Sequence, residues 1–207
     1  MLDGENSTDQ SFPLSLVPVW LKISYTVFVV ILVPVYWKQY GPGNFLWFSD
    51  IALLTTTITL WLENSLLASM MALSTLLLEL IWNVDFFVQL GTSYSLVGLS
   101  SYMFDQKIPR AVRALSLFHV VLPPLFLWLL HRLGYDRRAL PAQAMLAAVV
   151  LASSYVFTAA SENVNWVRGF GETPQALMPP VLYLVLLMIL FPTVIYWPTH
   201  VVLKRLF

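Results

Sequence analysis

The sequence predicts an all-α fold: a polytopic membrane protein built as a bundle of six transmembrane helices. Three observations carry this. Of the 207 residues, 58% are apolar and only 11% are charged, whereas a soluble domain runs to about 45–50% and about 25%. The mean hydropathy is +0.75. The apolar residues also fall in six long runs, each close to the roughly 20 residues that a helix needs to cross hydrocarbon.

Residues 1–15 form a polar tail with Asp3, Glu5 and Asp9 and no Lys or Arg. It lacks the basic start of a signal peptide and is expected to be retained. Residues 16–207 then make a single transmembrane helical domain. The first run, 17–37, carries Lys22 near one end, where its amine can snorkel to the interface. Gly41-Pro42-Gly43 breaks the chain before the second run, 45–62. Glu63-Asn64-Ser65 leaves room only for a tight antiparallel hairpin into the third, 66–84. The connection 85–110 is rich in Ser and Tyr and holds Gly91 and Gly98. A short helix is expected near 95–104, and a seventh, re-entrant segment near 86–104 is also compatible. The fourth run is 111–130. A polar turn, Gly134 to Arg138, leads to the fifth, 142–161. Gly169-Phe170-Gly171 and Pro174 precede the sixth, 177–200.

Six spans put both termini on one side. That side holds Lys22, Arg132, Arg137, Arg138, Lys204 and Arg205, against Lys38, Lys107, Arg110, Arg113 and Arg168 on the other. The excess favours cytoplasmic termini. Lys plus Arg and Asp plus Glu are 11 each, a balance unlike the basic excess of a nucleic-acid binder. Cysteine is absent, so thiol chemistry and disulfides are excluded. No nucleotide-binding loop or zinc-protease motif is present, and no cofactor is expected. No internal repeat supports an inverted-repeat transporter.

Ionisable side chains inside a span are costly and mark wet cavities or bundle interiors. Asp50 opens the second helix, Glu79 and Asn83 lie near the end of the third, His119 lies in the fourth, and Glu162 and Asn163 close the fifth. Alternating topology puts all of them in one half of the membrane, with His119 about 9–12 Å below the rim at 1.5 Å per residue. Glu79 and Asn83 share a face at i, i+4, as do Ser116 and His119 at i, i+3. Ser154, Thr158, Ser161 and Glu162 would extend the polar face along the fifth helix. Each carboxylate taken singly also fits an end cap or an inter-helix hydrogen bond. His119, the imidazole well inside a span, suits a general base, a proton carrier or a ligand. Pro123 and Pro124 cannot donate to the carbonyls of His119 and Val120, and in lipid those carbonyls need other partners.

Two motifs resemble the androgen-induced membrane hydrolases, six-span intramembrane Thr/His hydrolases of fatty-acid esters of hydroxy fatty acids. Phe45-Leu46-Trp47-Phe48-Ser49-Asp50 is similar to the family's Phe-Leu-Thr-Phe-x-Asp, and His119-Val120-Val121-Leu122-Pro123 to its His-x-x-Leu-Pro. The resemblance implies a catalytic His119 and a matching Asp50. It does not carry over the nucleophile, because Trp47 stands at the threonine position and indole cannot attack an ester. Ser49, Thr55, Ser116, Ser154 and Ser161 are the hydroxyls that could replace it.

Two principal readings follow. In the first, His119 is the general base of a lipid-modifying enzyme, a lipid hydrolase or acyltransferase-like protein, oriented by Asp50 or Glu162. In the second, a lipid, quinone or other amphipathic molecule binds without reaction beside Glu79, Asn83, Asn163, Ser116 and Trp47, with Trp82 and Trp166 near the same face. Those tryptophans also fit an ordinary aromatic belt. Membrane lipids are the expected partners in both. A transporter would need a polar path across both leaflets, whereas Leu125 to Leu130 is apolar throughout. Carboxylates with His119 would suit a metal, but no ligand spacing supports one.

Overall fold

A computed structural model describes residues 15–171 and 174–207 and is helical, with no strand among them. All of the expected tail except Ser15 lies outside the described residues. Six helical passes form one bundle: α1 (Val19–Tyr40), α2 (Phe48–Leu62), α3 (Ser65–Thr92), α4 and α5 (Arg110–Leu115 and Phe118–Leu133), α6 (Ala139–Phe157), and α7 and α8 (Pro180–Leu190 and Trp197–Leu206). Five are long and apolar enough to span a membrane. Val27, Val30, Val149, Val156, Leu182 and Ile189 lie exposed on the outside, the surface expected of a protein solvated by lipid. The chain is an integral membrane protein.

The central element is α3, which packs on α2, α5 and α6. Every residue from Met71 to Leu76 is buried. Its small residues, Ala68, Ser69, Ala72 and Ser74, let neighbouring backbones come close, the usual basis of helix association in membranes. Helix α2 is shorter than expected, 15 residues, because Pro42–Leu46 forms a 3₁₀ turn ahead of it. Helix α3 is longer than expected and runs to Thr92. It therefore absorbs the start of the segment expected to re-enter, and no re-entrant helix forms near 86–104. The short helix expected near 95–104 is a single 3₁₀ turn, Ser101–Phe104. Helix α6 ends at Phe157, so Ser161 and Glu162 leave the polar stripe expected there. The last pass is interrupted by a π-helical stretch, Phe191–Tyr196, with Pro192 unable to donate to the regular ladder.

The hairpin between α2 and α3 forms as expected. Asn64 caps α3 by accepting from Leu67 N at 3.0 Å, and Glu63 adopts the left-handed conformation, φ 49°. Glu63 then clamps the start of the chain. Its carboxylate accepts from Lys22 Nζ at 2.8 Å, from Leu16 N at 2.9 Å and Val17 N at 3.2 Å, and from the Ser15 hydroxyl. Partial burial alone would raise its pKa, but these donors, Lys22 first, pull it down to about 2. A depressed carboxylate stabilises the fold above its unfolded value of about 4.3 and loses that contribution as pH falls toward the folded value. Glu63→Gln should lower the thermal midpoint in neutral detergent by about 2–4 °C at pH 7, the shift made by roughly 1 kcal/mol in a chain of this size. The gap to wild type should shrink between about pH 4.3 and pH 2. Melting curves at stepped pH check both.

Candidate functional site

A cavity of about 410 Å³ lies where the C-terminal end of α1 and the middle of α3 meet the N-terminal ends of α2 and α5. His119 lines it, and its position is determined on three sides. Its Nδ1 is 2.7 Å from Glu79 Oε2, and the ring stacks on Trp82 at 4.6 Å and on Phe118 at 4.1 Å between centroids. The third constraint acts through the backbone. The carbonyl that Pro123 leaves without its helical donor accepts instead from Asn83 Nδ2 at 2.8 Å. The same amide donates to Glu79 O at 2.7 Å. Thus α3 supplies, one turn apart, the carboxylate for the His119 ring and the amide for the His119 carbonyl.

The partner of His119 is Glu79, and not Asp50 or Glu162 as expected of an orienting acid. A carboxylate accepts the Nδ1 proton and leaves the lone pair on Nε2. Nε2 makes no hydrogen bond among the described residues. Asp50 lines the same cavity from the first turn of α2, where the helix dipole favours an acid. Its Oδ2 has a long contact with Asn44 Nδ2, 3.3 Å, and its Oδ1 is buried with no donor among the described residues. Trp47 and Ser116 also line the cavity. Trp47 packs edge-on against Trp166, and Ser116 Oγ shares a 2.5 Å hydrogen bond with Tyr36 OH.

Glu162 and Asn163 are not among the lining residues. Glu162 is exposed and accepts from Ala159 N at 3.2 Å. Its carboxylate also abuts Gly43, where a Cβ would lie 2.9 Å from Oε2, so a larger residue there would push the Glu162 side chain aside. Asn163 is spent inside its own loop, donating to Gly169 O and Gly171 O and accepting from Arg168 N. The cause is the early end of α6: beyond Phe157 the helical register that aligned these residues with the site no longer applies. Of the candidate hydroxyls, Ser49 and Ser116 line the cavity, and Thr55, Ser154 and Ser161 do not. Among the described residues, no hydroxyl is hydrogen-bonded to the His119 ring. Among the described residues, no three His, Asp or Glu side chains are grouped to hold a metal ion.

Two further residues build the walls. Asn165 accepts from Phe48 N at 3.1 Å and donates to Leu46 O at 2.7 Å, so it caps the start of α2 from a distant loop. It sits at φ 54° beside Trp166 at φ 55°, a conformation that Asn tolerates and Trp seldom adopts. Asp85, fully buried, gathers Leu96 N, Val97 N and Ser100 N at 2.8–2.9 Å together with Ser100 Oγ at 2.7 Å. It thereby holds the loop whose Gly98, Leu99 and Tyr102 cover the cavity.

No family model matches the chain, and no curated protein or solved structure matches it.

Replacing Asn83 by Leu should leave the His119 carbonyl unpaired in apolar surroundings, at a cost of about 1–3 kcal/mol. The thermal midpoint in detergent should fall accordingly, with Asn83→Gln less damaging than Asn83→Leu.

Proposed function

We propose that the protein hydrolyses an ester of an amphipathic, lipid-like molecule that enters the cavity from one leaflet, on the expected orientation the non-cytoplasmic one. The observation that carries this reading is the 2.7 Å pairing of His119 with the buried Glu79 on a cavity wall. It is the base-and-orienter half of a catalytic triad. With no hydroxyl at His119 and Trp47 at the family's threonine position, the nucleophile is a water molecule. His119 Nε2 takes a proton from that water while its oxygen bonds to the ester carbonyl carbon. The tetrahedral adduct expels the alkoxide by breaking the carbon–oxygen ester bond. The imidazolium then returns its proton to the alkoxide, so an acid and an alcohol leave and His119 is neutral again. Glu79 stabilises the transient imidazolium. Tyr40, which lines the cavity and whose OH has no partner among the described residues, is a donor for the oxyanion.

The absence of a positioned hydroxyl also favours a second reading, retention of an amphipathic molecule without reaction. One experiment separates them. The purified protein in nanodiscs is incubated with a long-chain nitrophenyl ester, which carries no carboxylate head. Hydrolysis should fall by about 10²–10⁴ in His119→Ala, the usual contribution of a general base, and in Glu79→Gln by at least about tenfold. Wild-type hydrolysis equal to that of His119→Ala would remove catalysis. A lipid co-purifying with the wild type would then support simple binding.

A further inference from the structure

Asp50 Oδ1 is the feature of the cavity that neither reading uses. Asp50 is 4% exposed. Its Oδ2 has one long contact, with Asn44, and its Oδ1 has no donor among the described residues. A buried carboxylate oxygen left unpaired costs more than a neutral one, so its place on a cavity wall implies a donor that arrives from the cavity. The charges of the lining specify that donor further. Asp50, Glu79 and His119 line the space, and no Lys or Arg does. His119 is already bound to Glu79. Two basic residues of this half of the protein are engaged elsewhere: Arg113 donates to Met103 O at 2.7 Å, and Arg168 to Tyr155 O at 2.9 Å, where it also stacks on the Tyr155 ring at 4.6 Å. A carboxylate or phosphate head would therefore face acids with nothing to neutralise it. A cation would meet an acidic cleft that concentrates it, with Tyr40, Trp47 and Trp166 on the walls as rings that attract cations.

We propose that the cavity binds the protonated amine head of a long-chain amphiphile, with Asp50 as its counter-ion. This rests on the cavity being the ligand site, and not on the hydrolytic step. It names the substrate class of the proposed hydrolase as an ester whose lipid carries an amine beside the scissile bond. It also sets this chain apart from an enzyme for substrates that end in a free carboxylate.

The test titrates dodecylamine, dodecanoate and dodecanol into the full chain in neutral maltoside detergent at pH 7, with empty micelles as the partitioning control. Tryptophan fluorescence reports binding, since Trp47, Trp82 and Trp166 line the cavity. Dodecylamine should half-saturate wild type at a concentration at least about tenfold below either of the others, a difference of about 1.4 kcal/mol. Asp50→Asn, nearly the same size, should abolish that preference. Equal half-saturation for amine and carboxylate in wild type overturns the proposal without recourse to any variant. So does a preference that survives in a folded Asp50→Asn protein. His119→Gln separates this result from the hydrolytic reading. An amine preference kept in that variant, with no hydrolysis detected in wild type, supports the amine site and removes only catalysis. Hydrolysis by wild type without head-group preference removes only the amine site.

Discussion

Hydrocarbon offers no hydrogen bonds, and this constraint explains more of the structure than any single contact. Every backbone group that a proline or a helix end releases must find a partner inside the protein. At Pro123 the released carbonyl belongs to His119, and Asn83 takes it. At the start of α2 the free Phe48 N–H goes to Asn165. Beyond α3, the amides of Leu96, Val97 and Ser100 converge on Asp85. These three repairs lie around the same cavity and hold its walls.

The first repair has a chemical consequence. Asn83 and Glu79 are one turn apart on α3, so the side chain that replaces a backbone bond and the one that orients the imidazole move together. His119 is held through its ring nitrogen, its ring faces and its carbonyl. Little conformational freedom remains to its imidazole, the condition under which positioned groups contribute most to catalysis. The opposite half of α5 is filled by Leu125, Phe126, Leu129 and Leu130, all buried, and the polar residues of the site stay near one rim.

Much of the architecture was legible in the sequence because hydropathy reports the solvent. Six apolar runs became six passes, and Glu63-Asn64-Ser65 became a hairpin. Boundaries were less legible where hydropathy changes slowly. Helix α3 continues past 84 because Asp85, polar by type, is buried and satisfied by a loop that no local pattern announces. Helix α6 stops at Phe157 although Ala159 and Ala160 would continue it, because the chain turns there so that Asn163 and Asn165 can tie loops together. Glu162 illustrates the result: on a continuous helix it would extend the face of Ser154, but after the turn it lies exposed beside Gly43.

The sequence by itself determined the class of the protein and the end of the bundle at which Asp50, Glu79 and His119 collect. Both depend on counting apolar residues and on the alternation of spans, which need no knowledge of helix contacts. It also singled out His119, since an imidazole deep in a span with a proline four residues on is an uncommon local pattern. Only the tertiary structure decided which acid serves it. Asp50, Glu79 and Glu162 are equivalent in sequence, each near a helix end at the same rim. The packing of α5 against α3 gives His119 to Glu79, Oδ1 of the cavity-lining Asp50 stays unpaired among the described residues, and the early end of α6 leaves Glu162 exposed. Which side chains meet across helices depends on their rotation and on where each one ends, and hydropathy along a single chain encodes neither.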